Sequence, residues 1–325
     1  MPNSPPPSNQ PKVSVLMITY NHEKYIAEAI ESVLMQKVDF PYELIVGEDC
    51  STDGTREIVR EYSRKHPEIV RAHLRERNLG AKENSRQIFL ASRGKYIALL
   101  EGDDYWTSPE KLRIQADVLD AHPQTAICCH RSVWRYQDGS QPDRIWPEIP
   151  DGFYELEDIL KRHFMNTGSV MFRRVIDDRP AWHRPLYMGD IPLFVTLAQY
   201  GNIRLLPQTM AVYRIHAGGI WSGLDDLAKA SHNRAMFQAF YDHLDPKYRP
   251  LLRKRLFWYS YGIGIDSFTA GQLDLTRKCL RECLKLSGTF AFIPQKLWLA
   301  FKGYCWWTFV LWRRLRRIFR RRKAQ

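Results

Sequence analysis

The sequence predicts an α/β fold, a mostly parallel sheet flanked by helices and followed by a C-terminal helical extension. Three observations carry this. Strand and helix patterns alternate from Val13 to Trp106 at the spacing of right-handed βαβ units. The strand segments are continuous apolar runs, as strands buried on both faces are. From Leu224 to about Leu286, helical patterns follow one another with no strand between them.

Each element has its own signal. “VSVLMI” at 13–18 is apolar and partly β-branched, which suits a buried strand. After “TYN”, the residues Tyr25, Ile26, Ala29, Ile30, Val33 and Leu34 fall on one side of a helix. “YELIV” at 42–46 is a second strand, and “GEDCSTDGT” leads into a helix from about Arg56 to Lys65 that Asp53 or Thr55 can cap. A short strand near “VRAHL” precedes “ERNLGAKENSRQIFLAS”, where Gly80 breaks the chain before a helix. “KYIALL” is the next strand. It runs into “EGDDYW”, then a helix beginning near Ser108 and Pro109.

Length and apolar content are sufficient for a large core, so the chain is expected to be globular. “MPNSPPPSNQP” reads as a flexible leader over residues 1–11, without the apolar segment of a signal peptide. The six cysteines lack the short paired spacing of zinc sites, and Cys279 and Cys283, one helical turn apart, read as packing residues; a cytoplasmic location follows. Net charge is +12, but “RRLRRIFRRRK” at 313–323 supplies eight basic residues, leaving only +4 elsewhere. The expected organisation is a leader (1–11), an α/β domain (12–222), a helical extension (223–290) and an aromatic, basic tail (291–325).

Glu101, Asp103 and Asp104 raise one another's pKa by repulsion unless a positive partner sits among them. A divalent cation shared with substrate phosphates is one such partner. Capping of the following helix is the alternative. In parallel sheets ligands gather at the carboxyl ends of the strands, which brings “TYNHE”, “GEDCSTDGT” and “EGDDYW” to one edge and favours the cation.

Taken together, “VSVLMITYNHEKYIAEAIESVLMQ”, “ELIVGEDCSTDGT”, “ERNLGAKEN” and “YIALLEGDDYW” resemble the family 2 glycosyltransferases of the Rossmann-like GT-A fold, from about Val13 to Gly219. The resemblance implies a hexosyltransferase-type enzyme that uses a nucleotide-diphosphate sugar. Thr19, Tyr20, Asn21 and Glu23 match the loop lining the nucleotide, and Asp49 matches the carboxylate expected at the base. Glu48 replaces the family's frequent aspartate. Asp53 matches the “S-x-D-G-T” turn, where capping is the preferred role. Asn78 and Gly80 match a loop closing over the nucleotide. Glu101 and Asp103 match the D-x-D, with glutamate first. The resemblance places Mg²⁺ or Mn²⁺ on Asp103 and Asp104, with His216 reaching the metal or phosphate and Arg214 a neighbour of the phosphates.

Displacing a nucleoside diphosphate in line requires a base for the acceptor hydroxyl. Asp190, before the helical pattern of Leu193, Phe194, Leu197 and Ala198, stands at the family's base position, with N-capping the bland alternative. Asn166, Thr167 and Gly168 supply acceptor contacts or, by preference, a turn. “SVWRYQDGSQPDRIWPEIPDGFYE” shows no period and is expected to act as a mobile flap.

In the tail, only ten residues from Gly303 to Trp312 are free of charge, too few for a span of roughly 20 residues. Tryptophans beside arginines suit an interfacial anchor on the inner face of the plasma membrane. A nucleic-acid-binding tail or a buried helix with a basic end are the competitors; no base-reading element accompanies the run, so nucleic acid is not expected. The expected function is inverting, metal-dependent transfer to the hydroxyl of a glycan or lipid-linked acceptor in bacterial surface polysaccharide synthesis. A polyprenyl-phosphate glycosyltransferase and an inactive adaptor of the same fold are the alternatives.

Overall fold

The computed structural model describes residues 10–216, 218, 219, 221 and 223–286. The chain divides into two compact units, residues 1–224 and 225–325.

The first unit is built on one sheet. Its strands are β1 (Val13–Thr19), β2 (Tyr42–Glu48), β3 (Val70–Leu74), β4 (Tyr96–Glu101), β5 (Tyr105–Trp106), β6 (Thr125–Tyr136), β7 (Arg144–Trp146), β8 (Gly152–Tyr154), β9 (Met171–Arg173) and β10 (Asn202–Ile215). The helices are α1 (Ile26–Leu34), α2 (Thr55–Lys65), α3 (Ala81–Ala91), α4 (Lys111–Ala121), α5 (Leu156–Lys161) and α6 (Asp190–Leu197). The order across the sheet is β3-β2-β1-β4-β9-β6-β10-β5. β3, β2, β1 and β4 are parallel neighbours, and β6 runs parallel to β10, while β9 joins the two groups by antiparallel pairing on both sides.

The apolar runs become strands because both faces are covered. Val13, Val15 and Met17 of β1 meet Ile26, Ala29, Ile30 and Val33 of α1 in one core cluster. The alternate residues face α3, where Ile88 and Phe89 are buried. Each such side chain contributes roughly 1.5–3 kcal/mol of burial, so Ile30→Ala opens a hole in a fully covered layer.

Register decides the site. β1 pairs Thr19 with Glu48 on one side and Ile18 with Glu101 on the other, so the loops after β1, β2 and β4 leave the sheet side by side. β10 is longer than its sequence signal at 210–215 and delivers His216 to the same edge.

The expected mobile flap is not one. Its first residues finish β6, β7 pairs antiparallel with β6, and β8 pairs with β10. Period-two patterning is not readable there because β7 and β8 have three residues each.

The second unit holds α7 (Asp226–His243), α8 (Arg249–Thr269) and α9 (Leu273–Leu286). Cys279 and Cys283 are buried free thiols on α9. Arg234 binds Glu282 at 2.6 Å and Ser260 at 2.8 Å, tying the three helices together. The expected tail at 291–325 lies outside the described residues. Among the described residues no helix is long and apolar enough to cross a membrane.

Candidate active site

The loops after β1 and β2 are clasped to each other. Asn21 takes a positive φ of 55°, which asparagine tolerates, and its Oδ1 accepts from Thr52 N at 2.8 Å. Glu23 N donates to Asp53 Oδ2 at 3.1 Å while Gly54 N donates to Glu23 Oε2 at 3.2 Å. Asp53 Oδ1 also accepts from Thr55 N at 3.0 Å, an Asx-type turn just ahead of α2, whose N-cap is Gly54. Tyr20 is exposed beside them.

Asp49 is buried and holds the third loop. Its two carboxylate oxygens accept from Leu79 N at 2.8 Å and Gly80 N at 2.9 Å. Gly80 N also reaches Asn78 Oδ1 at 2.9 Å. Gly80 sits at φ 80°, ψ 151°, a region open to glycine alone. Glu48 is fully buried, accepting from Ser51 N and pairing with Arg56 at 3.1 Å.

At the mouth of β4 the neighbouring aspartates part ways. Asp103 Oδ2 lies 3.0 Å from His216 Nε2 and 3.7 Å from His22 Nε2. Burial works to raise the Asp103 carboxyl, but the His216 hydrogen bond and the two imidazoles hold it below its ordinary value. Asp104 turns inward, 2% exposed, and its Oδ1 accepts from Arg214 N at 2.8 Å. Burial first, then repulsion by Asp103, pushes its carboxyl well up. The structure therefore brings Asp103, His216 and His22 together, and Asp104 is spent on the β10 backbone. Arg214 is likewise engaged: its guanidinium donates to Asp103 O and Glu28 and lies over Tyr105 at 4.4 Å.

Gly102 makes this closeness feasible. A Cβ there would sit 2.7 Å from Thr19 Oγ1 and 3.0 Å from His22 Nδ1. Those two atoms are buried without a hydrogen-bond partner among the described residues. Among the described residues no three His, Cys, Asp or Glu side chains form a ready metal cage. Asp103 Oδ2 is hydrogen-bonded to one of the two imidazoles, so a divalent cation there would take Asp103 as its protein oxygen ligand and need substrate phosphate oxygens for most of its shell.

Asp190 opens α6, with Gly189 as its N-cap. No hydrogen bond to its carboxylate forms among the described residues. Its charge is felt by Glu101, whose carboxyl burial pushes up to about 8, with Asp103 and Asp190 adding to the shift and Arg179 opposing it. Asp190 also acts on His163, where burial lowers the imidazole and Asp190 opposes that. The His163 ring stacks on Phe194 of α6 at 6.5 Å. Arg179 is fixed by Ser85 at 2.7 Å, and its Nε is buried with no hydrogen-bond partner among the described residues.

His22, Arg179 and His163 are the site residues that sequence reasoning missed. His22 was visible inside “TYNHE”. Arg179 and His163 lie in segments without any recognisable motif, and only folding places them beside carboxylates. Asn166 precedes a 3₁₀ turn (Thr167–Ser169), and Gly168 O accepts from Trp106 Nε1 at 2.8 Å, so this segment is a turn held from below.

A mostly parallel α/β sheet that gathers three loops at its carboxyl edge is the architecture of the GT-A fold. The chain belongs to glycosyl transferase family 2, whose model matches residues 14–179, and it is a glycosyltransferase. That match ends before Asp190 and His216. An uncharacterized protein of Mycobacterium bovis is 42% identical over 265 residues, covering 81% of this chain and 68% of the relative. The putative teichuronic acid biosynthesis glycosyltransferase TuaG of Bacillus subtilis is 36% identical over 169 residues, 51% of this chain and 63% of TuaG. A mannosyltransferase from Pyrobaculum calidifontis, solved with GDP-Man and Mn²⁺, aligns with a TM-score of 0.58 at 17% identity, covering 91% of this chain and 80% of that one. At that identity the likeness speaks for the fold.

Proposed function

We propose that the protein transfers a sugar from a nucleoside-diphosphate donor to an acceptor hydroxyl with inversion, in bacterial surface polysaccharide synthesis. The observation that carries this is Asp103 facing His216 and His22 at 3.0 and 3.7 Å, with Asp190 on a separate element. The likeness to the putative teichuronic acid biosynthesis glycosyltransferase TuaG supports the polymer, and membership of glycosyl transferase family 2 supports the donor class.

Asp103 and His216, with His22 beside them, would hold Mg²⁺ or Mn²⁺. Such an ion supplies Lewis-acid stabilisation of charge on the leaving diphosphate. Thr19, Tyr20, Asn21 and Glu23 line the donor's nucleotide, and the Asp49-anchored loop of Asn78 and Gly80 closes on it. Asp190 accepts the proton of the acceptor hydroxyl as its oxygen attacks the anomeric carbon from the face opposite the leaving group. The C–O bond to the diphosphate breaks as the new glycosidic bond forms.

The tail at 291–325 is proposed to rest on the inner face of the plasma membrane, carrying the enzyme to a glycan or lipid-linked acceptor.

Calorimetry with UDP-, GDP- and dTDP-sugars, with and without Mn²⁺, tests the donor assignment. One donor is expected to bind only with Mn²⁺ and to lose that binding in Asp103→Ala. Failure of every donor to bind would overturn the reading.

A further inference from the structure

One face of α3 is spent on the segment that leads to Asp190. Lys82, Ser85 and Arg86 stand at the i, i+3 and i+4 spacing of a single helix side. Arg86 Nε donates to both carboxylate oxygens of Asp178, at 2.9 and 3.0 Å, and its Nη2 donates to the same group. Ser85 Oγ accepts from Arg179 Nη2 at 2.7 Å. Lys82 Nζ donates to the main-chain oxygens of Arg184, at 2.8 Å, and of Leu186.

The held segment has little order of its own. From Asp178 to Gly189 the only regular element is the 3₁₀ turn Ala181–His183, so side-chain ties must set its path. The tie from Lys82 is the last before the base. A Cβ on Gly189, the N-cap of α6, would meet Arg179 Nη1 at 3.4 Å and Lys82 Cγ at 3.6 Å. Both side chains therefore lie against the residue that precedes Asp190.

The other side of α3 is fixed to the sheet. Asn84, 1% exposed, donates to Gly47 O at 2.7 Å and accepts from Arg75 Nε at 3.0 Å. The helix begins just after Gly80, whose N–H is bonded to Asp49. One rigid element thus ends the donor loop and holds the segment of the base.

The chemistry of the Lys82 contacts says what they fix. Two of its three N–H directions are committed to one loop, so the ammonium is not kept for a phosphate. Its acceptors are main-chain oxygens, and what it fixes is the backbone path. We propose that Lys82 is a positioning residue for the base. It pins residues 184–186, with Ser85 and Arg86 pinning 178–179, and Asp190 is thereby presented at a set place relative to a donor under the Asn78–Gly80 loop. The proposal rests on the reading of Asp190 as base. A misplacement of about 1 Å in a reacting group can cost roughly 10²-fold in rate.

The test uses the full chain with UDP-glucose, UDP-N-acetylglucosamine, GDP-mannose and dTDP-glucose in Mn²⁺. Release of the nucleoside diphosphate is followed with water in place of the acceptor hydroxyl, beside hydrogen exchange of the amides at 184–192. Lys82→Met keeps the stem and removes the N–H donors. It is expected to lower kcat about 10²-fold, with KM and calorimetric donor affinity unchanged, and to speed exchange at 184–192 while β1 stays protected. Lys82→Arg can still donate to the two carbonyls and should recover most of the rate and the protection. Wild-type kcat in Lys82→Met overturns the positioning role. So does unchanged exchange at 184–192, or a loss of donor affinity as large as the loss of rate. Where no donor is turned over, the exchange comparison decides alone. Wild-type release by Asp190→Asn would instead overturn the base assignment.

Discussion

Glu43 at the start of β2 and Glu101 at the end of β4 are both carboxylates set into the same sheet, at its opposite edges. Glu43 is saturated: Ser14 Oγ donates at 2.7 Å, Arg71 at 2.7 Å, and Arg93 through its guanidinium at 2.9 Å and its backbone at 3.0 Å. At Glu101 burial first, and then the charges of Asp103 and Asp190, push the carboxyl up to about 8. One edge is built for stability. The other keeps charges close and incompletely paired, the arrangement that reacting groups need and that costs stability.

The largest break in this comparison is expected at the reactive edge. Asp190→Asn should lower transfer by about 10²–10⁴-fold, the usual worth of a positioned base, with donor affinity by calorimetry unchanged. A polyprenyl-phosphate acceptor, already ionised, would leave transfer nearly untouched, and that outcome would rule out the hydroxyl acceptor.

The converse substitution belongs to the opposite edge. Glu43→Ala should cost about 1–3 kcal/mol in urea unfolding by leaving Ser14 and two arginines unmatched, with turnover per folded molecule unchanged. The cost stays moderate because the Arg71 and Arg93 side chains are 37% and 55% exposed and can turn to water.

Acid titration sharpens the same contrast. Burial works to raise the Glu43 carboxyl, but hydrogen bonds from Ser14, Arg93 and Arg71 hold it below its ordinary 4.5. The unfolded chain then binds the proton first as pH falls. The stabilisation is present above about pH 4.5 and is lost as pH drops through the folded value. Glu43→Gln should therefore unfold with a shallower acid slope than the wild type; equal slopes would mean that Glu43 is not the group responsible.

A further pH effect concerns Lys111, which is fully buried with its ammonium over Trp106 at 4.0 Å and bonded to Gln115 at 2.7 Å. Burial lowers its pKa to about 7 from 10.5. The unfolded chain binds more protons between those values, so this group makes stability rise with pH from about 7 to 10.5. Thermal melts of Lys111→Met across that range should lack the rise.

Much of the architecture is legible in the sequence. The runs at 13–18, 42–46 and 96–100 name their strands because a strand covered on both faces has no polar side to blur its signal. The three loops at one edge follow from the parallel order. Short antiparallel pieces such as β7 and β8 escape, since three residues carry too little period to read and their partners lie on distant strands. In the site, residue types were readable and directions were not.

The sequence alone determined the βαβ order, the carboxylates that end β4 and the glycine between Glu101 and Asp103, because these depend on local pattern and hydrophobic burial. Tertiary structure alone decided that Asp103 faces His216, 113 positions away, while its neighbour Asp104 is bonded to the Arg214 backbone. The same holds for Arg179 and His163 beside Asp190. Asp103 and Asp104 lie in the turn between β4 and β5, where no strand period fixes direction, and which side is cleft or core is set by the β10 end that packs there.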